Sequence, residues 1–86
     1  MKTRYTNELV ILLWTTAVSK FREARIKAIA IILKGKIVSR DDYKKTTWLT
    51  LKFPSIRKAI EAERKVRQNK YSWILACEVE MHDPLD

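Results

Sequence analysis

The sequence has little of what loop-built proteins and phosphate or metal sites require. Its 86 residues include one glycine, two prolines, one cysteine and one histidine. A glycine-rich phosphate loop needs several glycines, so Gly35 alone cannot form one. Cys77 and His82 are too few for a zinc site built from these two residue types within one chain. The scarcity of glycine and proline also indicates that long regular elements form most of the chain.

The single cysteine excludes an intrachain disulfide. A chain without disulfides is typical of a reducing compartment, so we expect a cytoplasmic protein. Cys77 lies in the apolar run Ile74–Cys77, which favours a buried structural thiol over a reactive one. The apolar stretch Leu9–Val18 has about half of the roughly 20 residues that a membrane span needs, so we expect no membrane association.

Enough apolar sequence is present for a folded core. Apolar residues make up 47% of the chain, and three of them are tryptophan. A chain of this length buries only roughly 60% of its unfolded surface on folding, so its core provides little stability beyond what folding requires. We therefore predict a single basic domain over residues 1–86, with an acidic tail at 82–86, and expect a homodimer to supplement the core.

Basic and acidic residues are separated along the chain, whose formal net charge is +8 at pH 7. Between Lys20 and Lys70 there are sixteen Lys or Arg against five Asp or Glu. The segment that follows is acidic and contains Glu78, Glu80, Asp83 and Asp86. A basic middle of this kind predicts one positive surface and a polyanionic partner.

Three strands are predicted from apolar patterning. Glu8–Thr16 is rich in β-branched and aromatic residues without a helical stripe, as in a strand buried on both faces, although a helix capped by Thr6 is the alternative. Thr46–Phe53 alternates, with Thr47, Leu49, Leu51 and Phe53 on one side. Tyr71–Met81 also alternates, with one face formed by Trp73, Leu75, Cys77, Val79 and Met81.

Two helices are predicted between these strands. Ser19 can cap a helix over Lys20–Lys34, with Gly35 as its C-terminal stop. Its predicted inner side consists of Phe21, Ala24, Ala28, Ile31 and Ile32, although residues 28–32 could also be read as a strand. Ser55 can cap a second helix over Ile56–Asn69, whose predicted inner arc is Ile56, Ala59, Ile60, Ala62 and Val66.

The segment between the first helix and the second strand is predicted to be irregular. Ile37 and Val38 form a short connector, and Ser39–Asp42 resembles a capping box for one helical turn through Lys45. The fold class is therefore α+β (α/β), with a small three-stranded sheet and two helices packed on it in the order β-α-β-α-β.

The sequence contains no arrangement typical of a catalytic centre. His82 lies in the predicted tail, and the i, i+2 spacing of Glu78 and Glu80 is equally typical of a solvated strand. A nuclease site formed by Asp41, Asp42 and these two glutamates would require segments that nothing in the sequence brings together. We therefore expect a protein that is not an enzyme, with no catalytic residue, metal or cofactor.

The basic residues form the one constellation that indicates a function. Each Lys or Arg that reaches a phosphate releases condensed counterions, so a cluster binds nucleic acid without reading bases. The alternative for any single helix is an ordinary solvated face. We predict a nucleic-acid-binding surface formed by Lys34, Lys36, Arg40, Lys44, Lys45, Arg57, Lys58, Arg64, Lys65, Arg67 and Lys70.

Three aromatic residues adjoin these basic residues. Tyr43, Trp48 and Tyr71 are candidates for stacking on unpaired bases, which favours RNA over DNA. Ordinary packing is the alternative for Trp48 and Tyr71. The sequence contains no aromatic pair in the RRM pattern, no KH-type glycine loop and no zinc knuckle.

In size and basic character the whole chain resembles the small early proteins of T4-type bacteriophages that blunt host defences. That group includes an RNA-binding inhibitor of a toxin–antitoxin endoribonuclease. Neither Lys34-Gly35-Lys36 nor Arg64-Lys65-Val66-Arg67 is aligned with a family motif, and no functional residue is carried over. The resemblance implies a counter-defence protein in the host cytoplasm.

Two hypotheses about function follow. The first is a small dimeric RNA-binding protein that acts by occupancy or by tethering a protein partner, such as a host ribonuclease, to RNA. The second is a protein-only inhibitor or adaptor whose basic face docks on an acidic or nucleic-acid-binding partner.

Overall fold

Four strands and two helices make up the structure, a computed structural model that describes residues 4–15 and 19–82. In chain order they are β1 (Arg4–Trp14), α1 (Ser19–Leu33), β2 (Lys36–Asp42), β3 (Thr46–Lys52), α2 (Ile56–Asn69) and β4 (Ile74–His82). The strands form one sheet in the order β2-β3-β1-β4, in which all neighbours are antiparallel. The predicted α+β class is confirmed.

The predicted three strands and β-α-β-α-β order are wrong. The chain follows a β-α-β-β-α-β order, the split βαβ arrangement. Because β1 lies between β3 and β4 and is antiparallel to both, β3 and β4 run in the same direction, as predicted for strands joined through a helix. No predicted strand corresponds to β2.

Strand β2 replaces the predicted connector and helical turn. All seven of its residues are exposed, so its sequence carries no inward-facing alternation. It lies at the sheet edge, where it pairs with β3 and has a register shift between Ile37 and Ser39. Residues 36–42 therefore form a strand because they pair with β3, and not because of their own strand propensity.

Strand β1 is a strand, as predicted, but only one of its faces is covered. Leu9, Ile11 and Leu13 are fully buried beneath the helices, whereas Val10 and Leu12 on the other face are half-buried. Strand β3 repeats this pattern, since Thr47, Leu49 and Leu51 are buried and the intervening residues are not. We refer to the side of the sheet away from the helices as the open face.

Strand β4 begins at Ile74 rather than at the predicted Tyr71, and its predicted facing is right at Cys77 and Val79 but wrong at Leu75. Cys77 and Val79 pair with the inward-facing residues Ile11 and Leu9. Leu75, however, is 53% exposed. The register shifts there, because Ala76 pairs with Leu12 and Ile74 with Leu13, which leaves Leu75 without a partner on β1. This β-bulge reverses the alternation, so Ile74 packs against the core instead.

Helix α1 occupies the predicted range, but it turns a different side inward. Ile26, Ile29 and Leu33 are buried, whereas Ile31 is 74% exposed and Phe21 is 58% exposed. Apolar residues on nearly every side of this helix left its buried side undetermined by the sequence. The predicted N-cap role of Ser19 lies outside the described side chains.

The C-terminus of α1 is closed by Lys34 and Gly35 together. Lys34 adopts the left-handed conformation with a φ of 59°, so Gly35 is not the left-handed residue. The Gly35 N–H donates to the carbonyl of Ala30 and the Lys34 N–H to that of Ile31, as in a Schellman motif. Gly35 is required for space, because a Cβ there would lie 2.9 Å from Phe53 Cζ and 3.0 Å from Leu51 Cβ.

We therefore expect Gly35→Ala to destabilise the protein by about 1–3 kcal/mol, the usual range for overpacking. The Leu51 Cβ is fixed to a central strand and cannot move aside as the end of a flexible side chain could. Urea unfolding followed by circular dichroism measures the change. Lys34→Gly is the control, since glycine relieves the left-handed strain one residue earlier and should not lower stability. Equal stability of Gly35→Ala and the wild type would contradict the close approach.

Helix α2 begins and ends as predicted. The Ser55 side chain accepts a hydrogen bond from the Lys58 N–H, and Lys70 in the left-handed conformation ends the helix. Ala59, Ala62 and Val66 are buried against the sheet. Ile56, which the predicted inner arc included, is 46% exposed. In the described residues, neither helix has the length and apolar character needed to cross a bilayer.

Candidate nucleic-acid interface

The outer side of α2 presents a row of cationic side chains. Small buried residues hold the inner side close to the sheet, so the long basic side chains lie on the outer side of the helix and at its margins. The exposed cations along the helix are Arg57, Lys58, Arg64, Lys65 and Arg67. Lys58 contacts Glu61 at 3.7 Å, a solvent-exposed pair that contributes little stability. The five exposed side chains therefore make the outer face of α2 positively charged.

A groove of about 350 Å³ separates this helix from the end of α1. Phe53 and Pro54 are among the residues that line it, together with three lysines: Lys34 after α1, and Lys58 and Lys65 of α2. The Lys65 Nζ donates to the Ile32 carbonyl at 3.2 Å, which satisfies one of the free carbonyls at the end of α1. The fold thus places Lys34 beside α2, although more than twenty residues separate it from Lys58. We call Lys34, Arg57, Lys58, Arg64 and Lys65 the basic surface.

Lys36 lies at the same end of the molecule but on another side. It pairs with Lys52 across β2 and β3, and Lys52 alternates with the inward-facing Leu51. Both lysines therefore belong to the open face of the sheet. They border a cleft near Gly35 and Pro54 that is next to the groove.

Arg40 is held in an ion-pair network instead of joining the basic surface. Its guanidinium donates to Glu23 at 2.5 and 2.9 Å and to Asp42 at 2.8 Å. Hydrogen bonds from Arg40 lower the pKa of both carboxyl groups, and the two carboxylates raise the pKa of Arg40. The network connects α1 to the edge strand β2, so this arginine has a structural contact that the sequence did not indicate.

Lys44 and Lys45 lie at the opposite end of the sheet, in the turn between β2 and β3. Arg22 of α1 donates to the carbonyls of Tyr43 and Lys44, which fixes this turn against the helix. Lys70 follows the last turn of α2, which runs back toward the same end. These three predicted phosphate contacts are therefore separate from the basic surface.

Arg67 and Glu63 cover the outer edge of β4. The Val79 N–H donates to Glu63 Oε2 at 2.6 Å, and Arg67 donates to the Cys77 carbonyl at 3.1 Å. The two side chains also form an ion pair at 3.4 Å. They satisfy backbone groups that an edge strand would otherwise leave open to pairing with another chain. Arg67 thus has a structural contact and is only partly free for a phosphate.

The predicted stacking residues do not line the groove. Trp48 is 42% exposed on the open face, opposite the helices. The Tyr43 hydroxyl donates to Asp41 at 3.2 Å, and this carboxylate raises the pKa of the tyrosine. Tyr71 packs against Trp73 with ring centroids 5.6 Å apart. Tyr71 therefore has the packing role that the sequence left as its alternative.

A cationic and aromatic cluster that the sequence did not indicate surrounds Arg25. Its guanidinium lies 5.6 Å from the ring centre of Trp14 and 5.8 Å from that of Trp73, at cation–π distance. It also donates to the Trp14 carbonyl. No local spacing could reveal this cluster, because its members come from β1, α1 and the loop before β4.

The acidic residues considered for catalysis are dispersed. Asp41 and Asp42 lie on β2, whereas Glu78 and Glu80 lie on β4, with two strands between them. Among the described residues, no three His, Cys, Asp or Glu side chains are grouped in a way that could hold a metal ion. His82 is the last residue of β4 rather than part of the tail, and residues 83–86 lie outside the description.

Cys77 is a partly buried thiol next to the core. Burial and the neighbouring Glu63 raise its pKa to about 12. Since the thiolate is the nucleophilic form, the raised pKa disfavours reaction of this thiol at neutral pH. The structural role expected for Cys77 agrees with its position.

Comparisons with protein families, with curated proteins and with solved structures find no match to this chain. A shared arrangement of strands and helices does not by itself indicate a function. The functional assignment therefore depends on the side chains of this protein.

Proposed function

We propose that the protein binds RNA through the basic surface, by contacting phosphates rather than by reading bases. The observation that carries the proposal is the convergence of Lys34 with Lys58 and Lys65 around one groove. Arg57 and Arg64 extend the positive charge along α2, and Glu61 is the acidic residue that lines both the groove and the adjoining helix surface. Such a surface attracts a polyanion through counterion release.

The protein acts by occupancy, or by holding a protein partner on RNA. The resemblance to phage counter-defence proteins extends the proposal to a host ribonuclease as that partner, in the host cytoplasm. The alternative is a protein-only inhibitor or adaptor whose basic surface docks on an acidic partner. The separation of Trp48 and Tyr43 from the groove favours this alternative, since base stacking does not reinforce the lysines.

We expect the affinity for a single-stranded RNA to fall steeply with salt. If the five cations of the basic surface each neutralise one phosphate, log K against log salt should have a slope of about −3.5, from about −0.7 per contact. Fluorescence anisotropy of a labelled oligonucleotide with the purified protein measures this slope. An affinity that does not change with salt would contradict binding through phosphates, and no binding at physiological salt would contradict RNA binding. The protein-only alternative would then remain.

A further inference from the structure

The open face has an apolar centre, with most of its charges at one end and Asp41 of β2 at its margin, where it pairs with Trp48. Val10 and Leu12 of β1 lie beside Trp48 of β3, and Ala76 of β4 pairs with Leu12. Trp48 and Ala76 are exposed, and the other two are half-buried. An exposed tryptophan among aliphatic side chains on an uncovered sheet face is typical of an interface.

The charges on this face are arranged in a self-complementary way. At one end of the sheet, Lys36 of β2 pairs with Lys52 of β3, which pairs with Glu8 of β1. On the other side of β1, Glu78 of β4 lies opposite Val10, and Glu80 follows it on the same face of β4, next to the register shift between Tyr5 and Leu9. The β2 and β3 half of the face is thus basic at this end, and the β1 and β4 half is acidic.

We propose that the open face is the interface of a homodimer, in which two sheets pack face to face about a two-fold axis parallel to the strands, between β3 and β1. Such an axis places β3 over β1 of the second copy and β2 over its β4, as the order β2-β3-β1-β4 requires. Lys52 then faces Glu8 of the second copy, and Lys36 faces Glu80. Aligned packing of two twisted sheets is one of the two common geometries.

The apolar residues match under the same operation. Trp48 lies level with Leu12, and Thr50 lies level with Val10, so each tryptophan packs on a leucine of the second copy at two equivalent places. A two-fold axis perpendicular to the strands would instead bring the charged end of each sheet over the apolar end of the other. That would bury Glu8 against Leu12, which is costly. With the parallel axis, the remaining acidic residues of the face, Asp41 and Glu78, lie on the outer strands β2 and β4, at the margin of the interface. The charge pattern therefore selects the second copy as the occupant and the parallel axis as its orientation.

Two charge-reversed variants test the interface. Lys36→Glu with Lys52→Glu makes this end of the face wholly acidic, and Glu8→Lys with Glu80→Lys makes it wholly basic. Sedimentation equilibrium of the wild type at micromolar concentration should give twice the 10.2 kDa mass of one chain. Each variant alone should dissociate, with a dimer dissociation constant raised on the order of 100-fold, because like charges then face each other. An equimolar mixture should restore the dimer, which also shows that both variants are folded.

The matched control is Arg57→Glu with Arg64→Glu. It changes the net charge as much as Lys36→Glu with Lys52→Glu does, but it lies on α2, away from the open face. This control should remain dimeric.

A monomeric wild type overturns the proposal, as do charge-reversed variants that stay dimeric or a mixture of them that stays monomeric. If the open face bound RNA instead, Trp48→Ala would weaken RNA binding in a monomeric protein, which also overturns it. The sedimentation experiment contains no RNA, so its outcome is separate from that of the RNA-binding proposal.

Discussion

Simultaneous replacement of Arg57, Arg64 and Lys65 by glutamate is expected to abolish RNA binding while the protein stays folded. The three substitutions remove three attractions and add three repulsions on the basic surface, which acts on the main contribution to nucleic-acid affinity. We expect a loss of affinity on the order of 100-fold or more. All three side chains are exposed on the outer side of α2, where a substitution usually changes stability by no more than about 0.5 kcal/mol. Replacing Lys65 also removes its hydrogen bond to the exposed Ile32 carbonyl, which adds a loss of about 0.5–1.5 kcal/mol.

The matched control for this triple variant places the same charge change elsewhere. Lys20, Lys44 and Lys45 are exposed at the opposite end of the molecule, and their replacement by glutamate should leave most of the affinity intact. Anisotropy titrations with purified components measure both variants, and thermal melting confirms that they are folded. Equal losses in the two variants would show that net charge, rather than the basic surface, governs binding. No loss in the α2 variant would show that α2 is a solvated face.

The second large effect concerns the core, where Ile11→Ala should destabilise the protein by about 2–5 kcal/mol. Ile11 is fully buried on the central strand, between Leu49 of β3 and Cys77 of β4. The surrounding strands are fixed by backbone hydrogen bonds and cannot close the cavity. Since 1 kcal/mol shifts the melting temperature of a domain of this size by about 4–8 °C, thermal unfolding measures the loss directly. If Ile11→Ala does not fold, Ile11→Val should cost about 0.5–1.5 kcal/mol.

Leu75→Ala is the comparison that tests the β-bulge in β4. The sequence alternation places Leu75 in the core, whereas the structure leaves its side chain 53% exposed. We therefore expect a loss of less than about 1 kcal/mol, well below that of Ile11→Ala. Destabilisation as large as that of Ile11→Ala would mean that β4 pairs without the bulge and that Leu75 faces inward.

The basic surface could be predicted only in part. The outer cations of α2 follow from helical periodicity, because the inner positions of this helix are consistently apolar. The position of Lys34 beside Lys58 and Lys65 depends on where α1 ends against α2, which no local pattern records. Arg40 and Arg67 were predicted as phosphate contacts on charge alone. Their partners, Glu23 and the backbone of β4, are brought to them only by the folded chain.

The sequence by itself determined β3 and α2, where a strong pattern coincides with local stop and start signals. Buried residues alternate from Thr47 to Phe53, and Pro54 and the capping Ser55 follow. This pattern is consistent only with a strand that ends before Pro54 and a helix that begins after Ser55. Only the tertiary structure decided β2, the buried side of α1 and the facing of Leu75. Each of these depends on a partner distant in sequence: β2 is a strand because β3 pairs with it, α1 buries the side that reaches the sheet, and Leu75 is displaced by the register of β4 on β1. The energies of these contacts depend on residues far apart in the sequence. A segment that lacks an alternating pattern, such as β2, or that is apolar on nearly every side, such as α1, therefore does not show by itself which side is buried.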